Sequence, residues 1–314
     1  MRYVIYNPKK LGGVTRVSED LYEGMTLLGH KVMLETSVLR LLCRCIVNRD
    51  TIYITCLHAF IVNVFARRSL YILHGWPTTR EYNFLSKFLL LLGTKLGSYF
   101  ATKTIAVSNL TRIINYVQFG IKSDEVIHNP TTLHSFSLRL DREKIILFCG
   151  KLVEGKGVVE IINAFQLISK EYPAYRLKMI GSGKLSNLVS RNCKKNKIEY
   201  CGEVRNRSTL SKHFESADIF ISLNEAEPFG IVFLEAMAAK LKIICPVHGG
   251  QIEFIPKNYP CFYVSSSYSI DAIVQSMRDA IEAERDTLQF DADLERFTPI
   301  SVASNYVKIC GELY

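Results

Sequence analysis

Through most of its length the chain alternates short strand-like runs, rich in β-branched and aromatic residues, with longer runs of helical period. This restricts the fold more than any other feature, because regular alternation is the signature of parallel sheets built from strand–helix–strand units. Strands are predicted in the first half at residues 3–6, 31–35, 51–55, 70–73, 104–107 and 126–128, with helices at 14–28 and 84–100. In the second half the strands are 145–149, 176–180, 219–223 and 243–246, with helices at 158–171, 208–216 and 231–239. A length of 314 residues is enough for two cores. The polar stretch 131–142, bounded by Pro130, reads as the link between them.

Many strands run into loops of glycine and polar residues: KKLGG after Tyr6, HGWP after Leu73, GKLVEGKG after Cys149, GSGK after Ile180, NEAEPFG after Leu223 and HGG after Val247. Open parallel sheets bind ligands outside the carboxyl ends of their strands. Such loops in both halves predict one cleft between two facing domains.

Composition narrows the class. Charged residues make up 22% and hydrophobic ones 48%, the proportions of a folded globular protein. The nine cysteines form no CxxC pair and no metal-ligand cluster, which predicts reduced thiols in a cytoplasmic setting and no bound metal. The chain enters directly into a strand, so no secretory signal is expected. Residues 84–100 are apolar but interrupted by Lys87, Gly93, Lys95 and Gly97, too short and broken for a membrane span. Residues 1–139 carry 17 Lys and Arg against 8 acids, whereas the remainder is balanced at 22 each. A basic first half attracts anionic partners, an anionic membrane surface among them. Nucleic acid is not expected, since no recognised binding module accompanies the charge.

The chemistry concentrates in Asn224–Ala239, where every residue from Phe229 onward is apolar or glycine except Glu235. Such a run predicts a buried helix whose lone carboxylate needs a hydrogen-bonding partner, from the protein or from a ligand hydroxyl pair. Glu227 stands just before the helix, roughly 10–12 Å from Glu235 at ~1.5 Å per residue, which suits the sugar-to-ribose span of a nucleotide sugar. The amides of Phe229, Gly230 and Ile231 would form an anion site at the helix start. Lys151 and Lys156, in a loop with Gly150, Gly155 and Gly157, could neutralise a diphosphate, though read alone they could be ordinary surface lysines. Gly12 and Gly13 precede a helix and permit close approach of a phosphate or sugar. His74 ends a strand and could hydrogen-bond a sugar hydroxyl. The segment Gly181-Ser-Gly183-Lys184 lacks the leading glycine and the Ser/Thr of a phosphate loop and reads as a turn.

In this order along nearly the whole chain, the motifs resemble the retaining glycosyltransferases of family 4. The most specific is the Glu-(seven residues)-Glu spacing of Glu227 and Glu235 within EPFGIVFLEAMA, supported by LGGVTRV with LGHKV, LHG, AVSNLT, VIHNPTTLHSF, GKLVEGKG, MIGSG, YCGEV and HGGQIEF. The resemblance implies an α/β protein of the GT-B fold. Its parts would be an acceptor-binding Rossmann-like domain at 1–137, a nucleotide-sugar-binding one at 138–297, and a terminal helix at 298–314 crossing back to the first. It implies sugar transfer from a nucleotide-diphosphate sugar, UDP- or GDP-linked, to a glycan, glycolipid or lipid-linked acceptor, with retention and without a metal or other cofactor. Glu235 would hold the ribose, Glu227 and the amides at 229–231 the sugar and diphosphate, and Lys151 and Lys156 the diphosphate. His74 would lie over the sugar, Val204 or Arg205 would border the base, and Gly12 and Gly13 would approach the donor. Two departures stand out: Lys151 replaces the usual arginine, losing a bidentate phosphate grip, and the first domain is short. An epimerase or hydrolase of the same fold, or a non-catalytic sugar-nucleotide-binding protein, are the competing readings.

Overall fold

The predicted alternation is realised as two six-stranded sheets, parallel throughout, in a computed structural model that describes residues 1–9, 12–77, 84–132, 142–193, 197–224, 226–265, 269–284 and 293–312. The elements run β1 (Arg2–Tyr6), α1 (Gly13–Leu27), β2 (Lys31–Glu35), α2 (Val38–Val47), β3 (Ile52–Thr55), α3 (Val62–Phe65), β4 (Ser69–Leu73), α4 (Phe84–Phe100), β5 (Lys103–Ala106), α5 (Asn109–Phe119) and β6 (Glu125–Val126). They continue with β7 (Ile145–Cys149), α6 (Val158–Glu171), β8 (Arg176–Ile180), α7 (Ser186–Cys193), β9 (Ile198–Gly202), α8 (Arg207–Ser216), β10 (Ile219–Ile221), α9 (Ile231–Ala238), β11 (Lys242–Pro246), β12 (Cys261–Val264), α10 (Ile270–Glu282) and α11 (Pro299–Gly311). Contacts divide them into a first unit, Met1–Thr132 with Leu294–Tyr314, and a second, Leu133–Asp293.

The first sheet has the order β2-β1-β3-β4-β5-β6. The chain steps from β1 to β2, then returns across β1 to β3, and right-handed crossovers put α1 on one face and α2 to α5 on the other. The α2–α3 face seals the sheet with Leu41, Cys45, Tyr53, Ala59 and Val62. On the opposite face α1 packs on α11 so closely that a Cβ at Gly24 would lie 2.0 Å from the Pro299 carbonyl oxygen. Proline opens α11 at a position where its missing N–H costs nothing, behind a Thr298 hydroxyl that caps Ser301 N. In α5, Ser108 caps Thr111 N, and Gly120 closes the helix at φ +67°.

The second sheet has the order β12-β11-β10-β7-β8-β9. Its inner strands read as continuous apolar runs because helices cover both faces, and β11 is buried at every residue. Phe148, Phe165, Leu177, Met179, Ile219 and Met277 form the heart of the core shared by α6 and α10. The middle of the predicted link, 133–141, lies outside the described residues. Its first end is fastened twice: Thr131 N donates to Phe297 O, and Thr132 Oγ1 to Asp20 Oδ1. Arg142, instead of ending a solvated linker, is buried and donates to the carbonyls of Glu215, Ala217 and Ala239. All nine cysteines are free thiols.

Candidate functional site

In the second sheet the chain leaves β7 on one side towards β8 and on the other meets β10, so loops diverge between the carboxyl ends of β7 and β10. A crevice opens at such a switch point. Glycines let the loop after β7 lie against its neighbours. A Cβ at Gly181 would sit 1.8 Å from Gly150 O, and one at Gly183 2.4 Å from Leu152 O. The two segments are joined by Gly150 N to Ile180 O and Leu152 N to Ser182 O, both 3.0 Å. The GSGK segment is therefore a packing turn. The loop then tightens through a 3₁₀ turn, Glu154–Lys156, and Gly157 at φ +68° passes so near Leu223 that a Cβ would meet its Cβ at 2.6 Å.

That approach brings Lys156 to the residues after β10. Its Nζ lies 3.0 Å from Glu227 Oε2, and the pair is half-shielded, with side-chain exposures of 27% and 13%. Asn224, itself buried, donates from Nδ2 to the same oxygen at 2.6 Å, while its Oδ1 accepts from Ala226 N at 3.3 Å. Both donors load Oε2; among the described residues none donates to Oε1. The loop after β11 holds the other side. Gly250 N donates to Glu227 O at 2.8 Å, and a Cβ at Gly250 would meet Pro228 O at 2.1 Å. Gln251, fully buried, ties this loop by donating to the carbonyls of His248 and Pro246.

Gly230 occupies φ +94° and is the N-cap of α9, so the helix's first unpaired amides belong to Ile231 and Val232 and not to Phe229. Phe229 is buried, its ring 4.9 Å from that of Phe254, and serves as an anchor. The expectation of a helix buried on all sides is corrected. Phe233, Leu234, Ala236, Met237 and Ala238 are buried, but Ile231, Val232 and Glu235 are half-exposed and share the open side. The i, i+4 spacing of Ile231 and Glu235 puts the carboxylate on the same stripe as the amide end.

The remaining predicted residues sort by unit. Lys151 is exposed on the same loop as Lys156. Val204 is half-buried and Arg205 exposed after β9; Arg205 pairs with Glu203 at 3.3 Å, and Gly202 O accepts from Gly181 N at 2.8 Å. Gly12, Gly13 and His74 belong to the first unit. Gly12 is the N-cap of α1 and Gly13 its first residue, while Lys10 and Leu11 of the KKLGG loop lie outside the described residues. His74 lines a small cavity at the carboxyl ends of β1, β3 and β4 with Tyr6, Ser18, Thr55 and Cys56. Burial, aided by the nearby His58, lowers the imidazole pKa to about 4, so it is neutral at physiological pH. Asn224, Gly250 and Gln251 were given no role from sequence; the signals were an Asn three residues before the glutamate and a glycine pair after a buried strand. Among the described residues no three His, Cys, Asp or Glu side chains are grouped to hold a metal ion.

Comparison with known proteins gives the site a context. The sequence profile described as glycosyl transferases group 1 matches residues 131–295. A Methanocaldococcus jannaschii protein described as an uncharacterized glycosyltransferase is 38% identical over 119 residues, 37% of this chain and 30% of that one. The phosphatidyl-myo-inositol mannosyltransferase of Mycobacterium tuberculosis is 25% identical over 224 residues, 65% of this chain and 58% of that one. The chain thus spans less than two thirds of the length of these curated relatives. In structure, Anabaena HepE solved with UDP-glucose superposes with a TM-score of 0.79 at 15% identity, over 99% of this chain and 100% of that one. At that identity the likeness establishes the fold, the GT-B arrangement of two Rossmann-like α/β units.

Proposed function

The chain belongs to the glycosyl transferases group 1 family, and on that premise we propose that it is a retaining, metal-independent glycosyltransferase of family 4 type. Its donor is a UDP- or GDP-sugar, and its acceptor a glycan, glycolipid or lipid-linked sugar. The observation that carries this is the Lys156–Glu227–Asn224 cluster at the switch point of the second sheet. It sets a cation, a carboxylate with one open oxygen and a helix N-terminus side by side. HepE, whose structure was solved with UDP-glucose, shares the fold.

In this reading Lys156, Lys151 and the amides at the start of α9 take the diphosphate, and Glu235 on the open stripe takes the ribose hydroxyls. Glu227 Oε1 accepts from a hydroxyl of the transferred sugar. Val204 and Arg205 border the base. His74, neutral, offers a hydrogen bond to a sugar hydroxyl without adding charge, and Gly12 and Gly13 allow close backbone approach. The anomeric C–O bond to the β-phosphate breaks while the acceptor oxygen bonds to the anomeric carbon on the same face. The acceptor's proton passes to the departing phosphate oxygen, whose growing charge the lysines and amides stabilise. The enzyme works in the cytoplasm, and its basic first unit suits an anionic membrane surface.

A panel of nucleotide sugars screened by thermal shift identifies the donor, since a ligand of the native state raises Tm. Turnover with and without acceptor glycans then separates transfer from epimerisation or hydrolysis. Donor consumption that ignores every acceptor, or no stabilisation by any nucleotide sugar, would overturn the proposal.

A further inference from the structure

The helices on one face of the first unit are built the wrong way round for a water-facing surface. An ordinary surface helix turns its large apolar residues inward and its polar ones out. In α4 the side against the sheet is made of small residues: a Cβ at Gly97 would lie 2.6 Å from the Tyr71 ring, and one at Gly93 3.2 Å from Leu57 and Phe60. Asn63 Nδ2 further ties Gly97 O at 3.1 Å. The outward side carries Leu85, Phe88, Leu89, Leu92 and Tyr99, at 42–81% exposure and spaced i, i+3, i+4, i+7 and i+14. The same holds for α2, which buries Leu41 and Cys45 but exposes Leu39, Ile46 and Val47, and for α3, which exposes Val64 and Phe65. Eleven exposed large apolar side chains lie on these three helices, against four in the whole second unit among the described residues.

The charge on this face is mostly positive, with Arg44 Nε 3.6 Å from Glu35 Oε2 at the end of β2. Arg40 and Arg44 lie on α2 and Lys87 and Lys95 on α4, with Arg67 just beyond α3; none of the three helices carries an acid. From Thr36 to Ser123 the chain has eleven Lys and Arg and two acids, Asp50 and Glu81. The right-handed crossovers put α2, α3 and α4 on the same side of the sheet. The acids of α1, Glu19, Asp20 and Glu23, belong to the opposite side. Apolar patches of this extent mark an interaction surface.

We propose that the α2–α3–α4 face is the surface by which the protein lies on an anionic lipid bilayer, its leucines and phenylalanines entering the acyl boundary and its arginines and lysines meeting the headgroups. Charge complementarity selects this occupant. A second copy docking face to face about a two-fold axis would set mostly cations against cations, the nearby Glu35 being buried and already paired with Arg44. An anionic leaflet answers both the charge and the apolar area. No described helix is long and apolar enough to cross the membrane, so the mode is lateral. The proposal rests on the glycosyltransferase reading only for its purpose, which is to bring the acceptor to the enzyme.

The test is co-sedimentation of the full chain with phosphatidylcholine vesicles with and without phosphatidylglycerol, at low and high salt, beside sedimentation velocity without lipid. Expected are binding that requires the anionic lipid and weakens with salt, a loss of about fivefold for Lys95→Glu, and a loss of at least about tenfold for Leu89→Glu. Glu23→Lys, on α1, changes little. Both test side chains are exposed, and an unchanged UDP-induced thermal shift certifies each variant as folded. Equal binding to neutral vesicles, indifference to Leu89→Glu, or lipid-independent dimers dissolved by Leu89→Glu would each overturn the docking face. Absence of a shift with both UDP and GDP in the parent protein would strike the functional reading and leave the vesicle result standing.

Discussion

Glu227→Gln separates the two jobs assigned to one carboxylate. Without ligand, Lys156 Nζ is engaged by Glu227 at 3.0 Å, in a pair shielded enough for the contact to count and exposed enough to exchange. A charge-assisted hydrogen bond of this kind is worth about 1.5–3 kcal/mol net, and partial exposure trims it towards about 1–2 kcal/mol. A diphosphate must displace the carboxylate to claim Lys156, and it also meets the carboxylate's own negative charge. Glutamine keeps the shape, an oxygen to accept a hydroxyl and room for Asn224, but removes the charge. UDP should therefore bind about five- to thirtyfold more tightly to Glu227→Gln. Transfer should fall by roughly a hundredfold or more, because the hydroxyl contact that strengthens with developing charge is weakened. Isothermal titration with UDP and initial-rate kinetics read the two effects on one preparation, with Lys156→Ala as the opposite control, weaker in both. If Glu227→Gln binds UDP no better than the parent while Lys156→Ala binds it worse, the carboxylate does not compete for the lysine and the reasoning fails.

Three further outcomes follow from the same geometry. Gly250→Ala drives a methyl onto backbone atoms of Pro228 and Phe229 that cannot yield and strains the Gly250–Glu227 bond. The loss should be about 2–4 kcal/mol, read as a Tm drop of several degrees together with weakened donor binding; an unchanged melting curve would refute the interlock. Asn224→Ala removes one of two donors on Oε2 and should lower kcat/KM about tenfold with little change in UDP affinity; a change confined to UDP affinity would contradict a positioning role. His74 holds fewer protons folded than unfolded between its native pKa of about 4 and the free value near 6.5, so stability is lost as pH falls through that window and levels off below it. The contribution is about 2 kcal/mol once its partial exposure is allowed for. Acid titration of His74→Asn should lack this loss, and identical acid curves would show that the imidazole titrates freely.

How far the residues foretold the structure depended on what surrounds each segment. β2, β7, β8, α4 and α6 lie where the pattern put them: β7 reads as a buried apolar run and β8 as a mostly apolar one, β2 carries its apolar residues in an unbroken run although it is an edge strand, and the helices are long. The edge strands β9 and β12 did not, because both are short, IEYCG mixes polar and apolar residues, and their partners are 18 or more residues away. α2 escaped notice because VLRLLCRCIV is a short, mostly apolar run, which strand and helix share by pattern. In the candidate site, Lys156 and Glu227 were each picked out, but their pairing was not legible. The two are 71 positions apart and meet only because the strand order reverses between β7 and β10. Asn224 has no spacing to mark it: its amide reaches Glu227 Oε2 only through the turn between them.

The close seat of α11 on α1, with Pro299 resting on Gly24, also dictates an order of events at the ribosome. The first unit is begun before the second but lacks one wall until Pro299–Gly311 has emerged, whereas the second unit is complete once residue 293 is out. The later-encoded body can finish folding first, and the earlier one waits with the α1 surface uncovered. During that interval the waiting unit presents its unclosed core to chaperones, and a chain stalled shortly before α11 would leave behind a sound second unit attached to an unfinished first.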